Sequence, residues 1–182
     1  MNQFLSPENE AFIDGQVAGL PYYTHAMGLH ATTQAIFDDR DEINSSDVEE
    51  ARNTVVQKTQ QTITEAYNVA TRSDRDDVLF GRVLLACAIA AKDDEGMFAA
   101  KEVARPLSAI MNRPYDTPGY ARHLKQFTEQ QRGAILQVRG EARRRFYRFN
   151  DPMMQPYIIL RGLSDGLITP EQLREIRGTS ES

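Results

Sequence analysis

TPGYARHLKQFTEQQRGAILQVRGEARRRFYRF, residues 117–149, changes its apolar period halfway along. Tyr120, Leu124 and Phe127 recur at three- and four-residue intervals, which marks one face of a helix. Thr117 or Pro118 starts that helix, and it ends near Gln131–Gly133. Beyond the glycine, Ala134–Arg139 and Arg143–Phe149 are rich in strand formers and flank Gly140-Glu141, a hairpin signal. Because successive strand residues face opposite sides, Phe146, Tyr147 and Phe149 cannot all point inward.

Working back from this stretch, Asn112–Pro118 carries two prolines and reads as a turn. Lys101–Met111 is helical by pattern, and Pro106 inside it predicts two short pieces. Met97-Phe98-Ala99 is a candidate short strand. From about Asp76 to Ala91 the chain is apolar on nearly every side, so a central core helix is expected there. Its Cys87, the only cysteine, is expected to be a small core residue. Forward of the hairpin, Asp151-Pro152 opens a helix to about Leu163, Thr169-Pro170-Glu171 caps a last short one, and Gly178–Ser182 is a tail. The order from residue 76 is helix, strand, helix, helix, strand, strand, helix. That is the order of a winged helix-turn-helix with a small β-hairpin wing.

The first seventy residues read as a helical bundle. Ser6-Pro7-Glu8-Asn9-Glu10 has the cap, proline and acids of a helix start, and Phe12, Ile13 and Val17 give it a stripe ending near Gly19. Pro21 opens a second helix to about Asp38, with Met27, Leu29, Ala31, Ala35 and Ile36 expected inside. Ser46 is expected to cap a third helix running to about Ala70, with a bend near Thr59–Thr62. The polar run Thr71–Asp77 is the candidate boundary. The expected architecture is therefore mainly α: a lid-like bundle over residues 1–72, a winged-helix domain over 76–165, and a short helix and tail over 166–182.

Charge divides the chain differently. Residues 1–100 carry 7 Lys and Arg against 17 Asp and Glu, whereas residues 101–150 carry 11 against 4. A basic segment inside a chain of net charge −5 points to a polyanion, most simply duplex DNA. A helix fits the major groove, about 12 Å wide, and a hairpin reaches phosphates or the minor groove. The candidate DNA-binding residues are Thr117, Arg122, His123, Lys125 and Gln126 on the helix, and Arg139, Arg143, Arg144, Arg145 and Arg148 on the hairpin. A basic hairpin can also pair with the acidic first half, and such a domain can serve as a protein-docking or oligomerisation module without DNA.

Other chemistry finds little footing. One cysteine forms no intrachain disulfide, and the His and Cys positions lack zinc spacing. No serine, histidine and acid, and no carboxylate pair, line up for catalysis. His25 and His30 are given no role, and Met153, Met154 and Tyr157 read as core. No apolar run approaches the roughly 20 residues that cross a bilayer, and the N-terminus lacks a signal-peptide pattern. The expectation is a cytoplasmic, non-catalytic protein without membrane, metal or cofactor.

GLPYYTHAMGLHA at Gly19–Ala31, followed by Ile43-Asn44-Ser45-Ser46-Asp47-Val48-Glu49-Glu50-Ala51, resembles the helical lid of origin-recognition-type AAA+ ATPases. In that family an I-x-x-x-D-V-x-x-A pattern starts a lid helix and a winged helix follows. YRFNDPMMQPYIILRGL at Tyr147–Leu163 resembles the end of that winged helix in bacterial and archaeal members. The resemblance covers about residues 5–165. It implies the DNA-binding C-terminal part of an ATPase-like protein, with an AAA+ core or a like subunit as further partner and with ATP and Mg²⁺ held by a full-length parent. The sequence here contains no G-x-x-x-x-G-K-[ST] loop. Tyr22 stands where the family often places an arginine, so this lid is not expected to sense nucleotide.

Overall fold

The structure is a computed structural model that describes residues 21–59, 61–72, 79–141 and 144–178. The expected helix over Ser6–Gly19, most of the boundary run and the last residues of the tail lie outside the described residues. Among those described, the chain is mainly helical, with eight α-helices and one three-stranded antiparallel sheet. No described helix is long and apolar enough to cross a membrane.

Helix α1 (Pro21–Phe37) buries Tyr23, Met27, Ala31 and Ala35, four residues apart along one face. Leu29 and Ile36, expected inside, are exposed. At 3.6 residues per turn they fall off the stripe that Tyr23 begins. The expected long third helix is two, α2 (Ser45–Lys58) and α3 (Gln61–Thr71), because Thr59 is extended. The helix start also differs from expectation, since Asn44 rather than Ser46 caps α2. The Asn44 side-chain oxygen accepts from the Asp47 amide at 3.0 Å, and Asp47 accepts from the Asn44 amide at 2.8 Å. This is a capping box. Ile43 and Val48, at the flanking staple positions, are both buried. Asp47 is 2% exposed and takes both guanidinium nitrogens of Arg40, at 2.6 and 2.8 Å. Arg40 holds its carboxyl below the usual carboxylate range. The I-x-x-x-D-V-x-x-A pattern is thus, physically, a helix-start device.

Helix α4 (Leu79–Ile89) buries every residue from Val83 to Ile89. Cys87 is buried as expected, and burial pushes its thiol up to about 12. Lys92 closes the C-terminal end of α4 by donating to the carbonyls of Cys87, Ala88 and Ala90 at 2.9–3.1 Å. Burial pushes its ammonium down to about 7, while the three carbonyls favour the charged form. Strand β1 (Phe98–Ala99) follows, then a 3₁₀ turn (Ala100–Val103) and α5 (Ala104–Met111). Pro106 does split the run, and it sits in the first turn of α5, where backbone N–H groups have no partner in the helix.

Asp116 caps α6 (Thr117–Phe127), which buries Tyr120, His123, Leu124 and Phe127. Strands β2 (Leu136–Arg139) and β3 (Phe146–Phe149) form the hairpin, and the sheet order is β1-β3-β2. Tyr147 and Phe149 face inward while Phe146 is exposed, as alternation requires. The second strand starts at Phe146, not Arg143, so Arg144 and Arg145 belong to the connection between β2 and β3. Gly140 opens that connection with φ 88°, and a Cβ there would collide with the Arg144 carbonyl oxygen.

Helix α7 (Met154–Ser164) packs against α2, α3 and α4. The two parts expected from the sequence therefore share one core. The Tyr23 hydroxyl donates to the Met153 carbonyl at 3.3 Å, and Tyr67 meets Tyr157 edge to face at 5.6 Å. Arg132 donates to the Ala70 and Arg72 carbonyls at the end of α3, with its guanidinium 3.8 Å above the Phe80 ring. Thr169 caps α8 (Pro170–Gly178), whose Leu173 and Ile176 join the same core.

The helix start gives a prediction. Asn44→Ala should cost about 1 kcal/mol, read by denaturant unfolding. Asp47→Asn should also lower stability at neutral pH. Because the folded carboxyl titrates below its unfolded value, the stability it adds is present above about pH 4 and lost as pH falls through the folded value. The gap between parent and Asp47→Asn should close over that acid range. A gap independent of pH would remove the ionised carboxylate from the account.

Candidate nucleic-acid interface

The end of the sheet nearest the hairpin connection is defined by register. Arg139 of β2 and Ala99 of β1 both pair with Phe146 of β3. The next residue after Ala99 is Ala100, whose carbonyl accepts the Tyr120 hydroxyl at 2.7 Å. Thr117 Oγ1 lies 3.3 Å from that hydroxyl. Tyr120 is fully buried, so this is a fixed tether. It places the first turn of α6 at the same end of the sheet as the hairpin connection.

On α6, Arg122 and Lys125 are exposed, and Lys125 lies 4.0 Å from the Glu129 carboxylate. Thr117 and Gln126 are half-buried. His123 departs from the expected outward face. It is 9% exposed and meets the Phe80 ring edge to face at 4.7 Å. Its position, three residues after Tyr120 and four before Phe127, puts it on the inner stripe.

On the hairpin, the arginines divide. Arg143 lies outside the described residues. Arg144 and Arg145 are exposed in the connection. Arg145 hydrogen-bonds the Tyr147 hydroxyl, opposing the burial that pushes that phenol up. Arg139 lies 3.6 Å from the Glu95 carboxylate. Arg148 is half-buried and donates to the Glu95 carbonyl at 3.4 Å. With its amide oxygen turned toward Arg148, Gln137 accepts from that guanidinium at 2.9 and 3.0 Å. One carboxylate of the same part of the chain, Glu95, thus lies beside the hairpin at Arg139.

Other basic side chains are engaged too. Arg132 holds the end of α3, Arg113 lies over the Tyr115 ring at 4.9 Å, and Arg105 donates to the Glu175 carbonyl at 3.1 Å. The segment's charge count thus overstates the cationic surface, whose exposed members include Arg122, Lys125, Arg144 and Arg145. Beside the hairpin, a cavity of about 560 Å³ is lined by Lys92, Asp93, Glu95, Arg148, Asn150 and Gln155, among others. Its Lys92 already donates to three carbonyls. Among the described residues, no three His, Cys, Asp or Glu side chains converge as a metal site requires.

Sequence reading missed the Tyr120 tether and Glu95. The pattern placed Tyr120 on the inner face, but nothing local shows where its hydroxyl ends. Glu95 lies far from the hairpin along the chain and meets it only through the β1–β3 pairing. Comparison with protein-family models, curated proteins and solved structures finds no match to this chain.

The two faces of α6 predict opposite phenotypes. His123→Ala should lower stability by about 1–3 kcal/mol, read by thermal unfolding, with duplex affinity unchanged once corrected for folded protein. Arg122→Ala should leave stability within about 0.5 kcal/mol of the parent. A stable His123→Ala protein that loses DNA affinity would return this histidine to the interface.

Proposed function

We propose that the chain binds duplex DNA, with residues 79–164 acting as a winged helix-turn-helix. Helix α6 enters the major groove and the hairpin connection lies on the adjacent backbone. The observation that carries this reading is the Tyr120–Ala100 tether, which holds the first turn of α6 and the arginine-bearing connection at one end of the sheet. The element order α4-β1-α5-α6-β2-β3 and the strand order β1-β3-β2 support it. In this reading the helices from Pro21 to Thr71 are the lid-like part, and the whole corresponds to the C-terminal region of an origin-recognition-type AAA+ ATPase. Nucleotide chemistry then belongs to a full-length parent, and this chain is a binding protein rather than an enzyme.

The roles divide by what each group reaches. Arg144 and Arg145 meet phosphates, which are the same in every sequence, while Arg122 and Lys125 reach base edges or the backbone beside them, and Gln126, whose Oε1 is enclosed, does not. Replacing Arg144 and Arg145 by Ala should weaken all duplexes alike. It should also flatten the dependence of log affinity on log salt by about 0.9 for each phosphate no longer neutralised. Replacing Arg122 and Lys125 should narrow the gap between preferred and random DNA, by about 1–3 kcal/mol for each base edge no longer read. Absence of duplex binding at low salt would reject the proposal.

A second reading rests on α1. Tyr22, Leu29 and Ile36, seven residues apart, are all exposed, and Phe37 is 84% exposed. Such a stripe suits contact with a neighbouring protein subunit. If the chain serves that role instead, sedimentation should show concentration-dependent association that Leu29→Lys and Ile36→Lys abolish. A monomer at all concentrations, with duplex binding intact, favours the DNA reading.

A further inference from the structure

Phe146 is the first residue of the central strand β3, yet it is 41% exposed. The two inward positions of that strand belong to Tyr147 and Phe149. On the outer face, the residue paired with Phe146 on one side is Ala99, whose single methyl cannot cover a ring. The residue paired on the other side is Arg139, with a side chain 59% exposed. Arg144 and Arg145, both exposed, lead directly into the strand. The wing tip therefore presents an exposed aromatic ring paired with Arg139, whose guanidinium lies 3.6 Å from the Glu95 carboxylate, with the exposed Arg144 two residues ahead of the ring.

Phosphate contact explains the arginines but not the ring, since a hydrocarbon face gains nothing from an anion. A nucleobase does gain from it: stacking of bases on aromatic side chains amid positive charge is how single-stranded nucleic acid is held. In an intact duplex both faces of each base are already covered by neighbours, so the ring has a partner only where a base is unstacked.

We infer that Phe146 is a stacking platform for an unpaired base, so that the wing favours DNA holding a bubble or mismatch over uninterrupted duplex. The inference rests on the DNA-binding reading and adds the structural class of DNA recognised. Arg144 and Arg145 hold the flanking phosphates, and the ring takes the base between them.

The test measures binding of the full chain to two labelled probes by fluorescence anisotropy. One is a perfect duplex, and the other is the same duplex with a short central run of mismatches. The parent should bind the mismatched probe about five- to hundredfold more tightly, the range expected for one stacked base. Phe146→Leu keeps an apolar side chain but no ring. It should remove that preference and leave perfect-duplex affinity unchanged, whereas Phe146→Trp should retain the preference. Circular dichroism and thermal unfolding of both variants should match the parent, because the ring is exposed. Equal binding of the two probes by the parent would overturn the stacking inference and leave DNA binding standing. So would an equal loss by Phe146→Leu on both probes. Binding to neither probe would overturn the DNA-binding reading and this inference with it.

Discussion

The close approach of α7 to α4 holds the molecule together. Gly162 of α7 lies over Leu85 of α4, and a Cβ there would come within 2.7 Å of both Leu85 methyl carbons. Leu85 is itself buried, so a side chain at 162 would have to displace packed atoms. Helix α7 also packs against α2 and α3. The acidic, helical first part and the basic second part are thereby built on one core. Tyr67 against Tyr157, and Arg132 across the end of α3, add contacts at the same seam.

With that core fixed, the surface chemistry follows from where the backbone ends its elements. A buried hydroxyl on α6 reaches the carbonyl that follows β1, and this sets the helix relative to the sheet. The register of β3 with both neighbours then sends the hairpin connection out from the same end. Electrostatics refine the result. Glu95, brought alongside by the β1–β3 pairing, sets its carboxylate beside Arg139 and its backbone carbonyl against Arg148, while Arg144, Arg145, Arg122 and Lys125 stand exposed. On the proposed DNA-binding reading, a surface of a few exposed arginines implies modest, salt-sensitive affinity rather than a broad polyelectrolyte contact.

Much of the element order was legible because periodicity and punctuation are local. The all-apolar run at Val83–Ile89, Pro114 and Pro118 at the start of α6 and the glycine of the hairpin each mark their element without reference to the rest. Boundaries and faces were less legible where one tertiary contact decides between two local options. Asn44 outcompetes Ser46 as a cap because Asp47, braced by Arg40, completes the reciprocal bonds. His123 looks outward on a polar reading of α6, but the Phe80 ring gives it an apolar partner. Leu29 and Ile36 look like core by composition and stand exposed, because Tyr23 sets the direction of the buried stripe. At the candidate interface, the sequence names the arginines but not which of them Glu95 holds.

Amide hydrogen exchange of the full chain with and without duplex DNA decides whether α6 and the hairpin connection act together on DNA. Duplex should slow exchange together in the first turns of α6 and in residues 139–141 and 144–146, and leave α1 unchanged. Slowing confined to α1, or no change anywhere at a DNA concentration that saturates binding, would contradict it.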